Sequence, residues 1–200
     1  MHRFLFALFL LAACRGEGHE GHPAVPVSRT KEMAARAKTF NKERNFSNRY
    51  CILVDMSMHS GLNRLFVWDF RKDTVVFASL VSHGSGSYPW SFDLTKTRPG
   101  FSNVPNSHCS SLGKYKIGER GHSSWGIGVK YLLHGLEPTN SKALERFIVL
   151  HSWDKISDRE VYPAGTPESW GCPAVSDNSM RYLDRLLRQE DKPVLLWIYR

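Results

Sequence analysis

Two side chains in this sequence have the types and settings for nucleophilic chemistry. Cys172 stands in Glu168-Ser169-Trp170-Gly171-Cys172-Pro173-Ala174-Val175, with glycine directly before it and proline directly after. Glycine there admits a backbone conformation closed to other residues and lets a substrate approach closely. A helix start predicted at Ser176 lowers a thiol pKa if its N-terminus points at the sulfur. A cysteine nucleophile also needs a base, and His151 follows the apolar run Phe147-Ile148-Val149-Leu150, so it emerges at the rim of a buried strand. Taken singly, each residue has an ordinary structural reading, a packed cysteine in a turn and a hydrogen-bonded core histidine. Together they make a nucleophile and base pair.

The remaining chemistry-bearing residues offer less. Cys51 lies in the apolar segment Tyr-Cys-Ile-Leu-Val, where a small buried thiol is expected. Cys109 has His108 beside it, but sequence neighbours on an extended chain point apart. A Cys51 to Cys109 disulfide stays open, since it depends on distance. Gly84-Ser85-Gly86-Ser87 lacks the lysine of a phosphate loop, and no Cys-x-x-Cys occurs. His19 and His22 are three apart among glycines rather than four apart on a helix. No metal and no cofactor is expected.

The elements that must hold the pair follow from periodicity. Met33, Ala37 and Phe40 recur on one helical stripe between charged residues, which predicts a helix over 28–44. Runs rich in Val, Ile, Leu and Phe predict consecutive antiparallel strands over 50–56, 63–70 and 74–82. Residues 83–110, rich in proline, glycine and serine, form a long irregular stretch of the kind that is usually functional or mobile. Further strands are expected over 113–117, 126–133, 147–151 and 193–199, with a short helix over 141–146. A last helix is expected to start from a Ser176 cap, carrying Met180, Leu183, Leu186 and Leu187 on one face. There is no alternation of strand and helix, so the class is mainly β with peripheral helices (α+β).

Composition is ordinary for a globular chain of 200 residues, at 42% hydrophobic and 23% charged, which excludes a mainly disordered protein. The formal charge of +8 favours an anionic partner or surface. No block of five or more Lys and Arg supports a nucleic-acid partner. The apolar run over 4–13 is too short to span a bilayer and suits a secretory signal occupying residues 1–13. It ends in Leu11-Ala12-Ala13-Cys14, which resembles the lipobox of bacterial lipoproteins, so lipidation of Cys14 is expected. Residues 14–27 then read as a flexible tether, 28–49 as the N-terminal helix and 50–200 as the working domain.

His151-Ser152 at a strand end, followed by Ser169-Trp170-Gly171-Cys172, resembles the signature of the L,D-transpeptidase (YkuD-type) catalytic domain, in its exported branch. The likeness extends through Arg64-Leu65-Phe66-Val67-Trp68-Asp69, His83-Gly84-Ser85-Gly86, Phe101-Ser102-Asn103, the Ser-Ser-Leu-Gly-x-Tyr segment over 110–115, and His134-Gly135-Leu136-Glu137. It implies an antiparallel β-sandwich or barrel in which Cys172 attacks the bond between diaminopimelate and D-alanine in a peptidoglycan tetrapeptide stem. His151 would be the base, oriented by the backbone carbonyl of Ser152. Amides around Gly171 and Cys172 would hold the oxyanion, and Ser169, Trp170, Gly113 and Tyr115 would border the substrate.

Two departures stand out. Ala174 occupies a position where many members carry arginine, so cationic help must come from elsewhere or be absent. The 154–167 segment between His151 and Cys172 offers a candidate lid. The acyl group's fate separates transpeptidase from L,D-carboxypeptidase and from D-amino-acid exchange, and a peptidoglycan-binding lipoprotein without activity is the non-enzymatic alternative. Histidine before cysteine argues against a papain-like order. Peptidoglycan stem peptides and a membrane, reached through the lipid anchor, are the expected partners. The expected location is the periplasm, anchored to the outer membrane.

Overall fold

The computed structural model describes residues 27–200. The signal segment, Cys14 and most of the tether lie outside the described residues. The chain runs α1 (Val27–Arg44), β1 (Tyr50–Asp55), β2 (Leu65–Asp69), β3 (Thr74–Ser79), β4 (Gly113–His122), β5 (Val129–Gly135), β6 (Val149–Ser152), β7 (Ala174–Val175), α2 (Asp177–Leu187) and β8 (Leu195–Tyr199).

All eight strands form one sheet in the order β3-β2-β1-β8-β4-β5-β6-β7. Five neighbouring pairs are antiparallel; β1 with β8 and β6 with β7 are parallel. Three residues past β3, Ser82 N–H donates to the Ala174 carbonyl of β7 at 2.8 Å. That contact draws the two ends of the sheet together and curls it toward a barrel.

Side chains alternate faces along a strand, and here both faces are covered. Ile52 and Val54 of β1 join Leu196 and Ile198 of β8 in the larger core, under Met180, Leu183 and Leu186 of α2. Cys51 and Leu53 point the other way, onto Met33, Ala34 and Ala37 of α1. Burial on both sides explains why these strands read as continuous apolar runs. Helix α2 starts where expected, with Ser176 Oγ accepting from Ser179 N–H at 3.2 Å.

Three local readings are corrected. Residues 141–146 make successive turns, not a helix: only Arg146 N–H to the Lys142 carbonyl has the α-helical spacing, and Phe147 closes the run at φ 54°. Strand β5 starts at Val129 because Gly126 and Gly128 turn at positive φ (54° and 75°). Strand β4 runs on to His122, five residues past the apolar pattern, through a bulge between Ile117 and Arg120 and a largely exposed end.

Candidate active site

Strand pairing brings Cys172 and His151 to one cleft. Strand β6 lies parallel to β7 with His151 opposite Ala174. Two residues back along both chains, Cys172 lies beside Val149, whose N–H donates to Cys172 Sγ at 3.5 Å. The thiol in turn donates to the Phe147 carbonyl at 3.6 Å. Val149 and His151, two apart on one strand, share a face.

The His151 ring is oriented by its own chain. Its Nδ1 lies 2.9 Å from the Ser152 carbonyl. A carbonyl only accepts, so Nδ1 carries the hydrogen and Nε2 is left as the basic nitrogen. No hydrogen bond joins His151 to Cys172 among the described residues, but the two line the same cleft.

The turn that carries Cys172 is held by hydroxyls. Ser169 Oγ donates to the Cys172 carbonyl at 2.7 Å and accepts from Gly171 N–H at 3.1 Å. Ser82 Oγ donates to the same Cys172 carbonyl at 3.0 Å and accepts from Ala174 N–H at 3.0 Å. Ser110 Oγ donates to the Gly171 carbonyl at 3.1 Å. Gly171 itself sits at φ 107°, and a Cβ there would press on the Cys109 carbonyl and Ile148 Cδ1. Here glycine is required both by conformation and by space.

Electrostatics set the resting protonation. Burial pushes the Cys172 thiol above its ordinary range, opposed by the Val149 N–H and the charges of Arg146 and Lys130. Burial lowers His151, partly offset by the Ser152 carbonyl, with Lys130 adding to the lowering. Both shifts favour a neutral imidazole and a protonated thiol over an ion pair at neutral pH.

The cleft holds about 210 Å³ and is lined by Trp90, Trp125, His151, Trp153, Ser169, Trp170 and Cys172. Trp90 and Trp153 stack at 5.5 Å and 24°, and Trp125 meets Trp90 edge-on at 5.9 Å. Trp170 lies 5.7 Å from Trp90, with its ring stacked on His108 at 5.1 Å. Among the described residues no group of three or more His, Cys, Asp or Glu is placed to hold a metal ion.

Residues 23–199 match the family model of the L,D-transpeptidase catalytic domain, YkuD_2. The chain belongs to that family. Similar solved structures include the helical cell shape determining protein Pgp2 of Campylobacter jejuni, at 13% identity and TM-score 0.47, covering 76% of this chain and 48% of that one. An L,D-transpeptidase of Xylanimonas cellulosilytica is 14% identical at TM-score 0.41, covering 83% of this chain and 69% of that one. The chain thus spans about half the length of the first. No curated protein matches the sequence.

Within this L,D-transpeptidase-family domain, Ser152, Ser169, Trp170 and Gly171 all lie around the pair. Their parts differ from the sequence expectation in two respects. The Gly171 N–H is engaged by Ser169 Oγ, whereas the Cys172 N–H has no acceptor among the described residues, so only the latter is free for an oxyanion. Gly113 and Tyr115 do not line the cleft. Tyr115 alternates inward on β4, fully buried, and its hydroxyl donates to the Ser111 carbonyl at 2.7 Å. Gly113 faces Glu137, Thr139 and Asn140.

The 154–167 segment is bonded to the rest of the domain through its own backbone amides. Val161 N–H donates to the Gly61 carbonyl at 2.9 Å, Gly165 N–H to Asp93 Oδ2 at 2.7 Å and Thr166 N–H to Ser60 Oγ at 3.2 Å. Ala174 is buried in β7, and the cations that act on Cys172 are Arg146 and Lys130 instead. Cys51, Cys109 and Cys172 are all free, so the Cys51 to Cys109 disulfide does not form.

Sequence reasoning did not find Ser82, Trp90, Trp125 or Trp153, and it named Ser110 only within the Ser-Ser-Leu-Gly segment, with no role. The three tryptophans had one signal, six tryptophans in a chain of 200, but nothing in their spacing showed convergence.

Proposed function

We propose that this domain is a cysteine-dependent peptidoglycan L,D-transpeptidase acting on the bond between diaminopimelate and D-alanine of a tetrapeptide stem. The observation that carries the reading is the His151 tautomer, fixed by the Ser152 carbonyl, with a basic Nε2 in the cleft that also holds Cys172.

The chemistry follows from that arrangement. The thiol turns from the Phe147 carbonyl and gives its proton to His151 Nε2 as sulfur attacks the diaminopimelate carbonyl carbon. The Cys172 N–H stabilises the oxyanion. On collapse the carbon to nitrogen bond breaks, and the imidazolium protonates the departing D-alanine amine, leaving a thioester. An acceptor amine then attacks the thioester, its proton passes to His151, and the thiol is restored. The tryptophans flank the cleft and keep water from the thioester.

The test is turnover of a disaccharide-tetrapeptide, followed by mass spectrometry, with and without an acceptor stem. A crosslinked dimer is expected. Tripeptide alone means a carboxypeptidase, D-amino-acid replacement means stem editing, and undiminished turnover in a folded Cys172→Ala protein overturns the mechanism. Stem binding without turnover means a wall-binding module.

The proposal extends to location. The Leu-Ala-Ala-Cys order supports a lipid anchor at Cys14, placing the domain in the periplasm on the outer membrane. Replacement of Cys14 by serine is then expected to release the protein from the membrane fraction.

A further inference from the structure

We propose that the buried chain Arg64, His83, Thr95 and Glu168 is a positioning relay for the turn that carries Cys172, with His83 as its hub; this rests on Cys172 being the nucleophile. Side chains of Arg64, His83 and Glu168 are fully buried. Arg64 Nη2 lies 2.8 Å from His83 Nδ1, and His83 Nε2 lies 2.8 Å from Thr95 Oγ1. Thr95 Oγ1 then donates to Glu168 Oε1 at 2.6 Å.

Each link has only one permitted sense. A guanidinium has no acceptor, so Arg64 donates and His83 Nδ1 accepts. The imidazole hydrogen therefore sits on Nε2 and goes to Thr95 Oγ1, whose own hydrogen goes to the carboxylate. A protonated His83 would set one N–H against another at Arg64, so the relay requires the neutral ring. Burial lowers His83 in the same direction. Glu168 is raised by burial, but the nearby His83 ring and the hydrogen bonds from the Thr95 N–H and hydroxyl hold its carboxyl below the usual range overall.

The relay grips the nucleophile turn at two points. Glu168 directly precedes Ser169, and Ser169 N–H donates to the His83 carbonyl at 2.8 Å. Ser169 Oγ in turn holds the Cys172 carbonyl. None of the four relay residues lines the cleft. They act through Ser169 and make no contact with a substrate there.

Thr95 gives the cleanest test. Thr95→Val keeps the shape and removes the hydroxyl, leaving His83 Nε2–H without its acceptor; Thr95→Ser keeps the hydroxyl. Both are compared with the unaltered full chain by thermal unfolding, by kcat and KM on disaccharide-tetrapeptide, and by the pH midpoint of Cys172 alkylation with iodoacetamide, resolved by peptide mapping. Thr95→Val is expected to lower kcat at least tenfold with KM within about twofold. Its alkylation midpoint should rise, because a displaced turn loses the Val149 N–H that favours the thiolate. Thr95→Ser is expected to restore both readouts.

An unchanged kcat in Thr95→Val, an effect confined to KM, or an equal loss in Thr95→Ser overturns the relay. Should the unaltered protein show no turnover, the transpeptidase reading fails, and the relay is decided by alkylation alone: a midpoint unmoved in Thr95→Val overturns it. Thr95→Ala replaces Thr95→Val if the latter does not fold.

Discussion

His151 Nδ1 donates to the carbonyl of Ser152, the next residue in the chain, at 2.9 Å. A backbone carbonyl thereby takes the place that a carboxylate holds in other nucleophile and base systems. A neutral acceptor stabilises the imidazolium less than a carboxylate would, so the Ser152 carbonyl only partly offsets the burial that lowers His151, while burial raises Cys172.

The pH dependence of acylation follows from those two directions. The base form of His151 is full above its lowered pKa, so the ascending limb of kcat/KM should have its midpoint below about 6.5, the ordinary histidine value. In His151→Ala the thiol must ionise unaided, and the rate should fall by roughly 10²- to 10⁴-fold and climb with pH toward the raised thiol pKa. A stopped-flow profile from pH 5 to 10 checks both. A midpoint above 7 in the unaltered protein contradicts the neutral resting pair.

Gly171→Ala should misplace the nucleophile. The added Cβ meets the Cys109 carbonyl and Ile148 Cδ1 at a φ of 107° that alanine rarely adopts. Backbone strain of this kind costs about 1–3 kcal/mol. Displacement of a reacting atom by about 1 Å lowers rates by roughly 10²-fold. Urea unfolding and muropeptide kcat, measured together, should show the rate loss exceeding the stability loss.

How far the sequence disclosed this site depended on what kind of residue was involved. Val149 and His151 were readable because an apolar run ending in a polar residue has few placements other than a strand rim. Both helices were readable from the helical spacing of their apolar residues, with Met33 and Ala37 on one face and Met180 and Leu183 on another. Ser82 and Ser110 were not, because they act on Cys172 and Gly171 across the fold and serine is ordinary in loops. Tyr115 was misplaced because the resemblance gave its strand, whereas the alternation of β4 decides which face it takes. The helix expected over 141–146 failed because a span of six residues is too short to be held by helix propensity, and the turn at Asn140 leads into further turns.

Stability should fall on acidification from neutrality. Burial lowers the pKa of both His83 and His151 in the folded protein, with Arg64 adding to the first against Glu168, and Lys130 adding to the second. Below about 6.5 the unfolded chain takes up protons that the folded one refuses, so stability is full above that pH and declines beneath it. Urea midpoints between pH 7.5 and 5 should drop, and His151→Gln should flatten part of the slope. A midpoint constant over this range contradicts the assignment of neutral buried rings.

The other thiols should be passive. Cys51 is fully buried in β1, and burial pushes its thiol far up. Cys51→Ala should cost about 1 kcal/mol and leave turnover unchanged. Cys109→Ser should also keep acylation. Loss of acylation in folded Cys109→Ser would move the nucleophile to that residue.

The most direct measurement is the intact mass of the protein after incubation with a carbapenem, followed by peptide mapping of the adduct. One covalent acyl group on Cys172, absent from folded Cys172→Ala and slowed in His151→Ala, is the predicted result. An adduct on another residue, or one that persists in Cys172→Ala, would contradict the account.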